Sequence, residues 1–472
     1  MRRHHLLGAV AGAAALVATA LPTVAQAHGC PTPRVPTRWC AATSHPVRDS
    51  VYPAPSHPAV DALHYRLGLR WVPGQGRLVG DEVLRFRAAR ATPDLRLSLA
   101  HAVQVTDVRL DGHPVGYTHP RGTLVVGHQA ARGSVHELRV RYSTRPAAAR
   151  APEDQRNANG MFQTTGGDVF TNDEPTGAGT WFAVNDHPSD KAFYDFRLRV
   201  PAPRVGVANG RLVASRRVGT DRVTRFHLDR PAASYLITAE FGRYRQTRLR
   251  PLHGVRLTTW TPTGKSRALR QARFLRKALA FDDRLLGRYP FATLSVIVVP
   301  GYNNGMENQT LVTLGTFTVS RENLVHEVAH QWYGDTVTPR DWRDVWMNEG
   351  MATYLQDVYD ARRYRVSIHD LLHYRVAAER QSRRQYGPPA HYHRTPFAAP
   401  NVYFGPELMW QELRQQVGAR AFWSMVRAWP AVHAYRNAGR EGYQRWIEHR
   451  LHRSLGGFFH AWLLGRTSPH YH

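Results

Sequence analysis

His326-Glu327-Val328-Ala329-His330, answered further on by Asn348-Glu349-Gly350, is the stretch that decides how this 472-residue chain folds and what chemistry it can hold. On an α-helix, residues four apart differ by about 40° of rotation, so His326 and His330 project from one face and can reach one metal ion. Eighteen residues separate His330 from Glu349, whose carboxylate can complete a set of three ligands. Zinc takes imidazole nitrogen and carboxylate oxygen readily, and a catalytic site leaves its fourth position for water. Glu327 then stands beside the metal without binding it, where a general base is needed.

With 26 histidines in the chain, a five-residue string needs support from its surroundings. Leu324, Val325, Val328, Ala329 and Trp332 give one apolar face, which predicts a helix over Arg321–Tyr333 with Gly334 as its stop. A second helix is expected over roughly Trp342 to Arg363, with Glu349 near its start. Two antiparallel helices joined by a short loop would return that carboxylate to the two imidazoles.

The run from His326 through Gln331-Trp332-Tyr333-Gly334-Asp335-Thr336-Val337-Thr338 to Trp346-Met347-Asn348-Glu349-Gly350-Met351-Ala352-Thr353-Tyr354 resembles the aminopeptidase N-like (membrane alanyl aminopeptidase) family of gluzincin zinc metallopeptidases, in a short secreted bacterial form. Gly305-Met306-Glu307-Asn308 is similar to that family's exopeptidase signature, and Val402-Tyr403-Phe404-Gly405 to the segment carrying its catalytic tyrosine. Thr171-Asn172-Asp173-Glu174-Pro175-Thr176 and the stretch from Asn185 to Ala192 look like its paired substrate-side segments. The resemblance implies one Zn²⁺ per chain on His326, His330 and Glu349. It makes Glu327 the base, Tyr403 the donor to the oxyanion, and Glu307 the anchor for a substrate's free amine, with Gly305, Met306, Asn308 and Glu174 also on the substrate side. Peptides with a free amino terminus are the implied partners. Three positions depart from the family pattern: Asn304 opens the signature, Asn172 stands where Gln is usual, and Gln356 replaces a Glu that hydrogen-bonds a ligand histidine. Fuller members add a large helical domain, so a more open site is expected here.

The resemblance and the patterning together give an α+β multidomain fold. An amino-terminal antiparallel β-saddle or sandwich would span 56–248, where short alternating stretches such as Leu63–Trp71 and Glu137–Tyr142 are punctuated by Gly, Pro and Asp. A thermolysin-like, mainly helical zinc peptidase domain would span 249–472, opening with a helix at Ser266–Leu286 and a strand at Leu294–Val299 that leads to Gly305–Asn308. Arg2 and Arg3, an apolar run from Leu6 to Ala20, and Ala25-Gln26-Ala27 mark residues 1–27 as a signal peptide cleaved before His28, so an extracellular location is expected. No later run of about twenty apolar residues suggests a membrane span. Residues 28–55 form a Pro-rich leader in which Cys30 and Cys40 are expected to pair, as suits an oxidising compartment.

The formal net charge is +27, and the only lysines are Lys191, Lys265 and Lys277, so the excess is almost wholly arginine. Such a field attracts anionic surfaces, and weak association with anionic cell-wall polymers is one expectation. The arginines are dispersed and no nucleic-acid module accompanies them, so a specific nucleic-acid partner is not expected. Two alternatives remain open at this level. One is a zinc hydrolase of the same fold with endopeptidase or other small-substrate activity; the other is a non-catalytic protein that binds surfaces through its basic face.

Overall fold

In the first half of the chain, period-two alternation sets the architecture. The computed structural model describes residues 35–148 and 158–472; the expected signal segment and Cys30 lie outside them. Strand Val60–Val72 buries Tyr65, Leu67, Leu69 and Trp71 on one face and turns Arg66 and Arg70 to the other. It sits inside an eight-stranded sheet whose spatial order is Arg211–Val218, Asp221–Ala233, Lys191–Pro201, Val60–Val72, Arg77–Ala88, Val135–Thr144, Gln104–Leu110 and His113–Pro114. A five-stranded and a three-stranded sheet complete the amino-terminal β domain. The two larger sheets are mixed, each with one parallel pair, where the sequence suggested purely antiparallel pairing. Val60–Val72 runs parallel to Lys191–Pro201 because the long chain between them crosses over instead of turning straight back.

The sheet of the helical domain begins at Tyr244: Tyr244–Leu252 pairs with Val255–Pro262, which pairs with Thr293–Val299, then Leu311–Gly315 and the short edge strand Gly305–Met306. Thr293–Val299 is buried along its whole length. Its Val296 and Val298 join the core under the helices, while Ile297 and Val299 join the core of the β domain. That two-sided burial explains why the strand reads as a continuous apolar run. The expected helix Ser266–Leu286 is two helices, α1 (Ser266–Ala272) and α2 (Leu275–Leu286). The break falls at Arg273-Phe274, where the Phe274 ring packs edge-on against Tyr359. Then come α3 (Arg321–Ala329), α4 (Trp346–Tyr364), α5 (Ile368–His373), α6 (Arg375–Tyr386), α7 (Asn401–Val417), α8 (Ala419–Val432), α9 (Arg440–Leu451) and α10 (Gly456–Leu463). No helix among the described residues is long and apolar enough to cross a membrane.

The leader does more than hold a disulfide. Cys40 is disulfide-bonded, but the segment that follows it straps both domains together. Buried Asp49 accepts from the N–H groups of Val51 and Tyr52 at 2.8 and 2.7 Å, from Trp342 N–H of the helical domain at 2.8 Å, and from His187 Nε2 of the β domain at 2.9 Å. The other ring nitrogen of His187 lies 2.6 Å from Ser189 Oγ. This resembles a nucleophilic triad, but all three residues are buried within the joint, so they clamp rather than react. Lys191 reinforces the clamp, its Nζ donating to the carbonyls of Asp335 and Thr336 at 2.9 and 3.1 Å.

Burial would raise the pKa of Asp49, but the hydrogen bonds from His187, Trp342 and Tyr52 outweigh it and hold the carboxyl below its ordinary value. A group with a depressed folded-state pKa contributes stability above its unfolded value and loses it as pH falls through the folded one. Asp49→Asn is therefore expected to cost about 3 kcal/mol at neutral pH, the scale for breaking a buried pair. Thermal unfolding of both proteins from pH 7 down to pH 3 should show the gap closing below about pH 4. An unchanged gap across that range would remove Asp49 as the source.

Candidate active site

Ser320 starts α3 by accepting a hydrogen bond from Asn323 N–H at 3.1 Å, with Glu322 in the first turn. Leu324, Val325, Val328 and Ala329 bury its apolar side, as the sequence predicts, although the regular helix stops at Ala329. His326 and His330 leave the other side together. Glu349 lies in the first turn of α4, and Gly350 beside it permits the close approach of α7: a Cβ there would stand 2.3 Å from Pro406 Cβ. That approach carries Tyr403, in the first turn of α7, to the site, with its ring 6.4 Å from the His326 ring and nearly parallel to it.

The nitrogens His326 Nε2 and His330 Nε2 are 3.1 Å apart, and Glu349 Oε2 lies 3.4 and 3.5 Å from them. Zinc with bonds of about 2.0–2.2 Å at tetrahedral angles needs ligand atoms roughly 3.3–3.6 Å apart, so this triangle fits it. His330 Nδ1 lies 3.1 Å from the Tyr333 carbonyl, which fixes a tautomer that leaves Nε2 free for a metal. Among the described residues, every group of side chains able to hold a metal ion lies in this one place.

Carboxylates crowd around the triangle. Glu307 and Glu327 each bring an oxygen within 4.8 Å of a His330 nitrogen, and Glu174, Glu307 and Glu349 converge to the same limit. Burial, with the charges of Glu307 and Glu349, pushes the Glu327 carboxyl well above the usual range; burial and the same two neighbours do so for Glu174. Burial would also raise Glu349, but the two imidazoles bring it down to about 2. Burial pushes the Tyr403 phenol up, and the surrounding carboxylates add to it, so its hydroxyl remains a hydrogen-bond donor. The cluster carries more negative charge than the two histidines can balance, which is the environment a dication and an ammonium group relieve.

The other predicted site residues have distinct places. Gly305 leaves no Cβ where one would stand 2.0 Å from Glu327 Oε1, so the Glu327 carboxylate packs directly on the edge strand. Met306 is buried in the helical domain's core, and Asn308 accepts from Thr313 Oγ1 at 2.9 Å. Gln331, in the turn after α3, donates to the Glu307 carbonyl at 2.9 Å and ties the edge strand to the histidine helix. Gln356 does not take the place of the usual Glu, because the buried His326 Nδ1 has no hydrogen-bond partner. The stretch from Asn185 to Lys191, expected on the substrate side, instead builds the domain joint. His187 meets Asp49, the Pro188 carbonyl accepts from Asn437 Nδ2 at 2.7 Å, and Lys191 donates to the Asp335 and Thr336 carbonyls. Tyr302 escaped the sequence reading; a phenol three residues before Gly305 was the available signal.

Two family profiles match the chain: the peptidase family M1 domain over residues 273–462 and the peptidase M1 N-terminal domain over 64–236. Together they cover well over half of it, in the order the fold shows, and the chain belongs to peptidase family M1. Leucine aminopeptidase 2 of Chaetomium globosum is 28% identical over 308 residues, covering 61% of this chain and 48% of its own. Aminopeptidase M1-A of Oryza sativa is 28% identical over 207 residues, covering 40% and 23%. The chain thus spans between about a quarter and a half of these relatives' lengths. A two-domain M1 zinc metallopeptidase bound to L-arginine superposes with a TM-score of 0.80 at 23% identity, over 90% of this chain and 98% of that one. The M1 zinc metallopeptidase of Deinococcus radiodurans, bound to a Tyr-Ser-Ala substrate, gives 0.77 over the same shares at 23% identity. The two-domain architecture is that of these structures.

Metal analysis of the purified protein should find stoichiometric zinc. Glu349→Ala and His330→Ala should each weaken zinc binding by more than about a hundredfold. Retention of full zinc by either variant would mean that the triangle is not the metal site.

Proposed function

We propose that this chain is a zinc-dependent aminopeptidase that hydrolyses the amino-terminal peptide bond of peptides. One observation carries the proposal: Glu174 from the β domain and Glu307 from the edge strand bring carboxylate oxygens within 4.8 Å of each other and of Glu349, a proposed ligand. Paired anions this close to the metal suit a free ammonium group and leave room for one residue between it and the scissile bond. The main chain of an internal polypeptide segment has no charge to offer there. That favours an exopeptidase over an endopeptidase of the same fold.

Bound zinc supplies a Lewis acid for the scissile carbonyl and lowers the pKa of water at the fourth position. Glu327, held against Gly305, takes the proton from the attacking water and delivers it to the leaving amine. The Tyr403 hydroxyl donates to the oxygen of the tetrahedral intermediate. Gly305 and Asn308, with the backbone of Met306, form the edge along which the substrate lies. Residues 1–27 are read as an export signal, and the disulfide at Cys40 supports an oxidising destination. The arginine-rich surface would add weak adhesion to anionic wall polymers.

A panel of aminoacyl-aminocoumarins should be hydrolysed, with the activity abolished by chelator and restored by zinc. Glu327→Gln should keep zinc and lose turnover, and Tyr403→Phe should lower kcat by about 10²- to 10³-fold with little change in KM. Amino-terminally acetylated substrates should resist cleavage. Cleavage of blocked substrates at rates comparable with free ones would overturn the exopeptidase assignment.

A further inference from the structure

We propose that Tyr302 is a positioning residue that fixes the edge strand Gly305–Met306, and with it Glu307 and the seat of Glu327, relative to the β domain. The proposal rests on the aminopeptidase reading and adds a residue that neither the metal chemistry nor the amine site accounts for. Tyr302 is 1% exposed. Its hydroxyl lies 3.2 Å from Asn172 Oδ1 and 3.2 Å from the Gly305 carbonyl, and its ring packs 5.3 Å from Phe170 on the strand that ends at Asn172. Asn172 Nδ2 donates to the Ala158 carbonyl at 2.8 Å, which turns the amide oxygen toward the phenol. One hydroxyl is therefore shared between two acceptors, one on each domain.

The position of this strut gives it its consequence. Asn172 is two residues from Glu174, and Gly305 two from Glu307, so the phenol joins the backbones that carry the two convergent carboxylates. Gly305 is also the residue on which the Glu327 carboxylate rests. Asn172 stands where a glutamine is usual in the resembling family, but its Nδ2 donates to Ala158 and its Oδ1 accepts from Tyr302. It therefore serves the strut, and recognition of the amine falls to Glu174 and Glu307. Tyr302 itself acts only through the backbone it holds.

The strut is tested with Tyr302→Phe, Asn172→Ala and the double variant, each checked for zinc content and thermal midpoint. Tyr302→Phe keeps the ring and removes one shared hydrogen bond, an effect of about threefold to tenfold on kcat/KM. We expect this mostly as a rise in KM, at unchanged zinc and a nearly unchanged midpoint. The double variant should be little worse than the worse single one, because both remove the same link. Hydrogen exchange supplies a readout independent of turnover: amides of residues 302–308 should exchange faster in both single variants while α3 stays protected. Wild-type KM and wild-type exchange in Tyr302→Phe would overturn the proposal, as would additive losses in the double variant. Failure of the wild-type protein to cleave any free-amine substrate would sink the aminopeptidase reading, and the exchange data would still decide whether the strut exists.

Discussion

A buried excess of carboxylate is the constraint on which the rest of this structure depends. Glu174, Glu307, Glu327 and Glu349 surround two imidazoles, and all of them are largely shielded from solvent. Burying charge costs several kcal/mol per ion unless partners are fixed at short range. Such an arrangement survives only on a scaffold rigid enough to keep the groups together before metal and substrate arrive. Much of the fold can be understood as that scaffold. Gln331 ties the turn after α3 to the Glu307 carbonyl, accepts from Thr310 N–H at 2.9 Å, and receives the Tyr289 hydroxyl at 3.1 Å. One side chain thus fixes the end of the histidine helix against the segment that carries Glu307.

The two domains cannot be separated energetically for the same reason. Three of the four carboxylates come from the helical domain and Glu174 from the β domain. Their convergence requires a joint with almost no play. Asp49 collects donors from the leader, the β domain and the helical domain on one carboxylate, and Lys191 buries its ammonium against two carbonyls across the boundary. Asn209 adds Nδ2 bonds to the carbonyls of Leu236 and Gln309 at 2.9 and 2.8 Å, close to Glu307 in sequence. Polar clamps of this kind fix geometry more sharply than apolar contact, because each donor and acceptor is satisfied in only one relative placement.

What could be read from the sequence follows the range of the interactions. The pairing of His326 with His330, the place of Glu327, and the burial of Leu324, Val325 and Val328 depend on neighbours within one helix, so spacing alone was enough. Glu349 was legible from its spacing and an expected antiparallel helix pair, whereas Tyr403, Glu307 and Glu174 lie on separate elements and were legible only through the family pattern around them. The domain joint was not legible at all. Asp49 meets Trp342 across 293 positions, and nothing in Asp49-Ser50-Val51-Tyr52 announces a distant partner. The stretch Asn185–Lys191 misled because its polar residues look functional, and polar residues that lock two domains carry the same composition as polar residues that bind a ligand. The parallel pairing of Val60–Val72 with Lys191–Pro201 was hidden for a similar reason, since alternation specifies which face a strand buries but not the direction of its neighbour.

The placement of Glu174 and Glu307 on different domains has a further bearing on specificity. A pair of carboxylates on one rigid element would fix the amine site once, whatever the domains did. Here the distance between them is set by the joint and by what connects Asn172 to Gly305. Small changes in that distance alter the attraction for an ammonium group steeply, because the electrostatics act in a site largely closed to water. The metal triangle is built within one domain, from α3, the residue His330 that ends it, and α4. On the proposed reading, the metal ligands are set within the helical domain, whereas the seat for a substrate's ammonium group depends on the register of one domain against the other.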